Sequence, residues 1–264
     1  MEANKPYVPL HVHSEYSLLD GANKCSDLAA TTREMGMNAC AITDHGVMFG
    51  CVEFYNACKK AEINPILGCE VYVDPNGYTC REGKEWNHLV LLAENDEGYS
   101  NLVKLVSIAN TDGVYYKPRI DHELLAKHSK GLIASSACLG GEIPRLIIKN
   151  DFEGAAARAQ LYRDIMGKDN FFLELQPNGI PEQAIVNKAL VELSKSLDIP
   201  LIATNDSHYL KKSDAAWHDV LLCIQTGSKV SDERRYRFSG DDYYFRSPEE
   251  MWNIFGSELP DSLI

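Results

Sequence analysis

The sequence lacks a long apolar run, and its basic residues are fewer than its acidic ones. No stretch approaches the roughly 20 apolar residues that cross a bilayer, and residues 1–6 have no apolar signal-peptide core. These absences predict a cytoplasmic protein with no membrane partner. The 26 Lys and Arg against 38 Asp and Glu give a formal charge of −12, which excludes a generally basic surface for coating nucleic acid. Any nucleic acid would be held locally, by metal ions and a few basic residues.

The cysteines also lack a regular, close spacing. Eight cysteines are spread over 264 residues, whereas small secreted domains concentrate theirs into a disulfide framework. We therefore interpret them as reduced thiols, most of them small buried residues. The length and the 45% hydrophobic content suit one large α/β domain or two small ones.

Histidines and acidic residues, by contrast, stand beside short apolar runs. His11 and His13 close the first run, and alternate residues of an extended chain point to the same face. Neutral imidazole and carboxylate together suit zinc, manganese or iron, and a thiolate favours zinc or iron. We therefore predict a multinuclear metal centre. The other residues beside such runs are Asp44, His45, Glu70, His88, Cys138, Asp206 and His208.

The apolar runs alternate with helix-like stretches. The runs are residues 7–13, 38–43, 65–73, 88–93, 131–135, 171–175 and 200–204, and the helical stretches are 26–35, 47–61, 98–110, 152–166, 181–196 and 213–225. This order predicts a parallel (β/α) barrel one unit short of eight, with a doubly wound open sheet as the alternative. In such barrels the active site gathers at the carboxyl ends of the strands. His88 fits less well, because it opens its run.

The last part of the chain differs in composition. Residues 227–247 are polar and rich in Gly, Asp and Arg, which predicts an extended tail across the surface after a barrel domain of residues 1–226. Ser247 and Pro248 indicate the start of another helix. The chain then stops without a closing turn, so we predict that residues 227–264 lead into a following region of a longer protein.

One loop combines cations with aromatic rings. Residues 115–119 read Tyr-Tyr-Lys-Pro-Arg, a combination that positions a phosphate or stacks a base. Lys117 and Arg119 are therefore predicted to bind substrate, with a solvated loop as the alternative.

Several segments resemble the PHP (polymerase and histidinol phosphatase) domain family, and more narrowly the amino-terminal PHP domains of bacterial DNA polymerase III alpha subunits. The likeness covers essentially the whole chain. It rests on residues 8–21, 41–46, 65–70, 88–93, 116–120, 135–139, 203–209 and 243–251.

The resemblance implies a distorted seven-stranded (β/α) barrel that holds up to three divalent ions (Zn, Mn or Fe). It implies that Glu70, Asp206, His208 and Asp44 contribute to catalysis. By analogy, the ligands of the first ion are His11, His13, Glu70 and Asp206, those of the second are Glu70, His88 and Cys138, and those of the third are Asp20, His45 and His208.

The resemblance also implies a function. In related subunits with an intact ligand set, the domain is associated with 3′–5′ exonuclease activity, which would act on a DNA 3′ end with a proofreading role. The partners would be the remaining polymerase domains of the same chain and replisome subunits. Two alternatives stay open: a stand-alone phosphatase of the histidinol phosphatase type, and a metal-stabilised scaffold without catalysis.

Overall fold

The computed structural model describes residues 5–263. Its strands are β1 (Ala39–Ile42), β2 (Asn64–Val73), β3 (Asn87–Ala93), β4 (Val114–Tyr115), β5 (Lys117–Ile120), β6 (Leu132–Ser135), β7 (Phe171–Leu175) and β8 (Leu201–Ala203). Its α-helices are α1 (Cys25–Glu34), α2 (Cys51–Ala61), α3 (Asp96–Thr111), α4 (His122–Lys127), α5 (Glu142–Ile148), α6 (Phe152–Met166), α7 (Pro181–Leu197), α8 (Ala215–Thr226) and α9 (Pro248–Phe255).

The sheet curls into a distorted barrel, as predicted. Strands β1, β2, β3, β6, β7 and β8 pair in that order. The first apolar run is an extended segment rather than a regular strand, but its backbone joins the two edges of the sheet. Ala41 N donates to Pro9 O and His13 N donates to Ser207 O, each over 2.8 Å. The segment is thus the seventh member of the barrel, lying between β1 and the chain that follows β8.

The prediction of an entirely parallel sheet was wrong at β3. This strand pairs antiparallel with both β2 and β6. Residues 74–86 connect β2 to β3 without a helix, and a connection without a crossover permits an antiparallel neighbour. The reversal places the start of β3 beside the end of β2, where His88 pairs with Tyr72. His88 therefore lies at the same rim as residues that close their strands.

The main apolar core lies between the sheet and the helices that cover it. All four residues of β1 are buried, and side chains such as Leu91, Phe171 and Leu173 belong to one continuous core. Helix α3 begins at Asn95, whose side chain accepts a hydrogen bond from Gly98 N, a standard N-cap. Within residues 5–263, every helix is too short or too polar to cross a membrane.

The polar segment of residues 227–247 contains no helix or regular strand. Helix α9 follows it and begins as the sequence predicts, with Pro248 in its first turn and a reciprocal capping box between Ser247 and Glu250. Met251 and Phe255 of α9 are buried in the same apolar core as the barrel. The domain boundary at residue 226 stays a prediction.

Candidate metal centre

The predicted metal ligands converge at one rim of the barrel, although they come from distant parts of the sequence. The extended first segment carries two histidines, β2 carries Glu70, and the chain after β8 carries Asp206 and His208. Asp206 has a positive φ of 49°, a conformation that non-glycine residues adopt mostly where the surroundings impose it. The complete set is His11, His13, Asp20, His45, Glu70, His88, Cys138, Asp206 and His208.

The first group of donors consists of two imidazoles and two carboxylates. The Nε2 atoms of His11 and His13 lie 3.3 Å apart. Asp206 Oδ1 lies 3.3 Å from the former and 3.2 Å from the latter. The Glu70 oxygens lie 3.4 Å from each Nε2. Donors bound about 2.1 Å from one tetrahedral ion are themselves roughly 3.4 Å apart, so these spacings match a shared ion.

The second group lies on the other side of Glu70. Its Oε1 is 2.8 Å from His88 Nδ1, and Cys138 Sγ lies 3.4 Å from that nitrogen and 3.6 Å from Oε1. Gly140 lets the loop approach, because a Cβ there would lie only 2.8 Å from His88 Nδ1. A carboxylate, an imidazole and a potential thiolate therefore face one point.

The third group is more open. Asp20 Oδ2 lies 2.9 Å from His45 Nε2 and 3.9 Å from His208 Nε2. His45 also reaches the centre of the cluster, since its Nδ1 is 2.6 Å from Glu70 Oε2. The ring of His13 stacks on that of His45 with centroids 4.1 Å apart. Glu70 thus contacts histidines of all three groups.

Unsatisfied atoms show that this cluster suits cations. Asp20 Oδ1, His45 Nδ1, Glu70 Oε2 and Asp206 Oδ1 are buried without a hydrogen bond of good geometry in the described part of the chain, although His45 Nδ1 and Glu70 Oε2 are only 2.6 Å apart. Each buried polar atom without a partner costs about 1–3 kcal/mol. Several in one place indicate a site for a ligand, and a set of imidazoles, carboxylates and one thiol fits zinc, manganese or iron.

Outer hydrogen bonds orient the histidines. His11 Nδ1 lies 2.7 Å from Glu174 Oε1, His13 Nδ1 lies 3.0 Å from Ser17 Oγ, and His208 Nδ1 lies 2.9 Å from the backbone oxygen of Asp206. Each ring can donate through Nδ1 and present the Nε2 lone pair to the cluster. The sequence predicts Glu174 at this rim, near the end of its apolar run, but indicates no role for it. Its signal is a carboxylate within a buried apolar strand.

Burial and neighbouring charges shift the pKa values of several residues in the cluster. Burial and the neighbouring His45 and His208 lower the pKa of His13 to about 3. Burial lowers the pKa of His11, but the carboxylates of Asp206 and Glu174 outweigh it and raise that pKa well above the usual value. Burial raises the pKa of the Cys138 thiol, and Glu70 raises it further. A bound cation would reverse the electrostatics and favour the thiolate and neutral imidazoles.

Asp44 lies beside the cluster, but its carboxylate is engaged elsewhere. Its Oδ1 accepts hydrogen bonds from Ser14 N and Ser17 Oγ, and its Oδ2 accepts one from Ser14 Oγ, each over 2.7 Å. Ser17 in turn holds His13. Asp44 therefore helps to position His13 through Ser17, and its catalytic role stays a prediction.

The burial of Arg119 contradicts its predicted role in substrate binding. The side chain is fully buried, it forms an ion pair with Asp74, and its Nε donates to Gly113 O over 3.2 Å. Lys117 is half-buried, and its Nζ lies 5.1 Å from the centre of the Tyr72 ring, which itself packs on His45. Substrate binding by Lys117 stays a prediction.

Two histidines without a predicted role have structural ones. His218 Nε2 donates to Asp20 O over 2.6 Å, and so supports the third group. His122 Nε2 lies 3.1 Å from Glu142 Oε2. Burial raises the pKa of Glu142, but the hydrogen bond from His122 and the charge of Arg158 outweigh it and lower that pKa.

A cavity of about 430 Å³ opens onto the metal cluster. Arg145 and the buried Asn178 line it from the barrel side, together with several of the metal ligands. The opposite wall belongs to the segment predicted as a surface tail, and the sequence analysis gave those residues no role. They are Tyr236, Arg237, Phe238, Ser239 and Tyr243.

Comparisons with known proteins agree with this geometry. The PHP domain family model matches residues 9–178. The DNA polymerase III subunit alpha of Borreliella burgdorferi is 46% identical over the whole chain, which spans 23% of that protein. The corresponding subunit of Treponema pallidum is 44% identical over 96% of the chain, which spans 22% of that protein. The chain thus spans less than a quarter of the length of these relatives.

A solved structure shares the fold. It is a protein from Bifidobacterium adolescentis assigned as a metal-dependent phosphoesterase, and it aligns with a TM-score of 0.51. The identity is 16%, over 77% of this chain and 88% of that one. The family match, the relatives and the shared fold together show that the chain belongs to the PHP domain family, with DNA polymerase III alpha subunits among its relatives.

Proposed function

We propose that this PHP domain is a metal-dependent phosphoesterase that removes nucleotides from the 3′ end of DNA, as a proofreading 3′–5′ exonuclease. The observation that carries the proposal is the complete set of nine ligand residues, with Glu70 at the centre, beside an open cavity. A site that served stability alone would not need a cavity with free donors and acceptors along its wall.

The proposed chemistry divides between bound ions and side chains. Divalent ions at the three groups would supply Lewis-acid polarisation of the phosphate and activation of water. Glu70 and Asp206 would hold ions in place, and both carboxylates have buried oxygens without a hydrogen bond of good geometry among residues 5–263. His208 lines the cavity with its Nε2 near Asp20 Oδ2. It would hold an ion of the third group through that nitrogen and so contribute to catalysis as a ligand.

Arg145 would bind the substrate phosphate. The side chain is half-buried in the cavity wall, and its Nη1 donates to Trp86 O over 2.6 Å and to Asn87 Oδ1 over 3.1 Å. The contacts fix the guanidinium, while its Nε and Nη2 have no acceptor within residues 5–263. A guanidinium with two free donors suits paired hydrogen bonds to a phosphate. Local binding of this kind is compatible with an acidic chain.

The relatives suggest the wider context. Because the chain spans less than a quarter of DNA polymerase III alpha subunits, we infer that it acts beside the remaining polymerase domains of such a chain and beside replisome subunits. Its substrate would be the DNA 3′ end that those domains extend. With this assignment we also infer that the protein acts in the cytoplasm.

A hydrolysis assay tests the proposal. Purified protein is titrated with manganese, zinc or iron and given 5′-labelled single-stranded DNA or p-nitrophenyl phosphate. We expect a ladder of products shortened from the 3′ end, abolished in Glu70→Gln and retained in the matched control Glu34→Gln, an exposed residue at the end of α1. Cleavage of p-nitrophenyl phosphate alone would favour the small-molecule phosphatase. No hydrolysis of either substrate with any metal would favour the scaffold.

A further inference from the structure

The segment Arg235–Asp242, here called the rim segment, is held at both ends although it has no regular structure. At one end Arg235 Nη1 donates to Asp219 Oδ1 of α8 over 2.6 Å, and the Arg235 side chain is 1% exposed. At the other end Asp242 Oδ1 accepts from Arg246 Nη2 over 2.7 Å, and Arg246 Nε donates to Asn205 Oδ1, in the chain after β8, over 2.8 Å. Directly after it, His208 N donates to Tyr243 O over 2.8 Å. The segment is therefore fixed to the barrel beside the metal cluster.

Between these anchors the rim segment forms an aromatic and cationic wall. Phe238 is half-buried, and its ring meets those of His208 and Tyr243 edge-on, with centroids 4.9 and 4.6 Å apart. Tyr236 contacts Phe238 edge-on and keeps 57% of its surface exposed. Arg237, also exposed, lies between them in sequence and lines the same cavity. The ring of Phe238 is thus fixed by packing, and the ring of Tyr236 is exposed beside it.

We propose that the rim segment recognises the unpaired 3′-terminal nucleotides of single-stranded DNA. Tyr236 stacks on a base, and Arg237 binds the adjoining backbone phosphate. Aromatic faces next to cations are the usual means of holding single strands without sequence preference, because every base has a π-face. Arg145 and Arg237 line this cavity together with the carboxylates of Asp20 and Asp206, which bound metal ions would neutralise. This inference rests on the proposed function and names its preferred substrate.

The wall also explains discrimination between substrates. A paired 3′ end must be unstacked and unpaired before its last base can reach the ring, which costs a few kcal/mol by the general energetics of base extrusion. A small phosphate ester without a base gains nothing from Tyr236. Single-stranded ends are therefore preferred over blunt duplex ends, and the preference depends on the ring of Tyr236.

Two variants separate the ring from the hydroxyl. Tyr236→Ala removes the stacking face, and Tyr236→Phe keeps it. Loss of one stacked base weakens binding by roughly 5- to 150-fold, equivalent to about 1–3 kcal/mol. We expect the KM for single-stranded DNA to rise by this factor in Tyr236→Ala, with kcat unchanged. In Tyr236→Phe the KM should stay close to that of the unmodified protein. Hydrolysis of glycerophosphocholine, a phosphodiester without an aromatic ring, should be the same in all three proteins.

Binding without turnover makes the test independent of catalysis. The affinity for a fluorescent oligo(dT) is measured by anisotropy, with and without manganese, for the unmodified protein, both Tyr236 variants and Arg237→Gln. We expect the affinity of Tyr236→Ala for oligo(dT) to fall by the same factor by which its KM rises. Arg237→Gln should reduce the slope of log affinity against log salt concentration by about 1, the equivalent of one phosphate contact. Tyr55→Ala, an exposed tyrosine on α2, is the control and should bind normally.

The outcomes distinguish the two proposals. If Tyr236→Ala binds oligo(dT) as tightly as the unmodified protein, or if the unmodified protein binds blunt duplex ends equally well, the recognition by the rim segment is refuted. If oligo(dT) binds through Tyr236 but no phosphoester is cleaved with any metal, recognition stands and the hydrolytic function fails. Cleavage of glycerophosphocholine with an unchanged KM for DNA in Tyr236→Ala supports the hydrolytic function and refutes the recognition.

Discussion

Glu70→Gln should uncouple the three groups of metal ligands while it nearly preserves side-chain volume. The Glu70 carboxylate is fully buried and its oxygens lie 2.6 Å from His45 Nδ1, 2.8 Å from His88 Nδ1 and 3.4 Å from the Nε2 atoms of His11 and His13. Substitution of residues that merely support a ligand typically weakens metal binding 10- to 100-fold. For a carboxylate shared by the groups we expect at least the upper value.

Binding linkage converts this loss into stability. Metal at 100 times its dissociation constant stabilises a folded protein by about 2.7 kcal/mol. If Glu70→Gln raises that constant 100-fold, the same metal concentration stabilises the variant by only about 0.4 kcal/mol. At about 2–4 °C per kcal/mol for a chain near this size, metal should raise the melting temperature of the unmodified protein by roughly 5–10 °C and that of the variant by about 1–2 °C.

The assay is thermal unfolding followed by circular dichroism, with the protein first treated with chelator and then titrated with manganese or zinc. Only the rise in melting temperature caused by metal is compared between the proteins, because Glu70→Gln also changes the stability of the metal-free protein. Glu34→Gln controls for the amide substitution. An equal metal-dependent increment in Glu70→Gln, or no increment in the unmodified protein, would refute the assignment of Glu70 as the shared ligand.

Three further predictions follow from individual contacts. Glu174→Gln should weaken metal binding 10- to 100-fold, measured by metal titration; unchanged affinity would contradict its orienting role. Arg119→Met should destabilise the fold by about 3–5 kcal/mol, because it leaves Asp74 buried without its partner, whereas a substrate-binding residue would change KM and leave denaturant unfolding unaltered. Glu142, whose pKa is lowered once its hydrogen bond to His122 outweighs burial, should stabilise the fold fully above about pH 4.3 and lose that contribution as the pH falls through its folded pKa. Glu142→Gln should therefore flatten the stability profile below that pH, and an unchanged slope would contradict the interpretation.

The sequence alone predicted the fold class and the residues that meet at the rim. A short apolar run predicts a strand of the fold, and a His, Asp or Glu beside it predicts a residue of the site. An unpaired buried carboxylate is costly, so its presence in such a run implies a partner. Glu70, inside the apolar run of residues 65–73, is the clearest example, and the structure places it between the three groups. The positions of these runs and the resemblance to the PHP domain family were together sufficient for this part, and Asp20 rested on the resemblance alone.

Only the tertiary structure decided which side chains are free for chemistry. Arg119 and Lys117 look equivalent in sequence, but one is buried against Asp74 and the other lies over Tyr72. His88 seemed to lie at the wrong end of its strand until β3 proved antiparallel. Local sequence does not specify such pairings, since they depend on which distant strands become neighbours.

The rim segment shows the same limit most clearly. Its polar composition predicts an extended tail, and residues 227–247 indeed lack helices and regular strands. Its position over the metal cluster depends on contacts such as the ion pair of Arg235 with Asp219 and the hydrogen bond from Arg246 to Asn205. Local periodicity determines what a segment can become, whereas charge pairing and burial between distant parts of the chain determine where it lies and what it can bind.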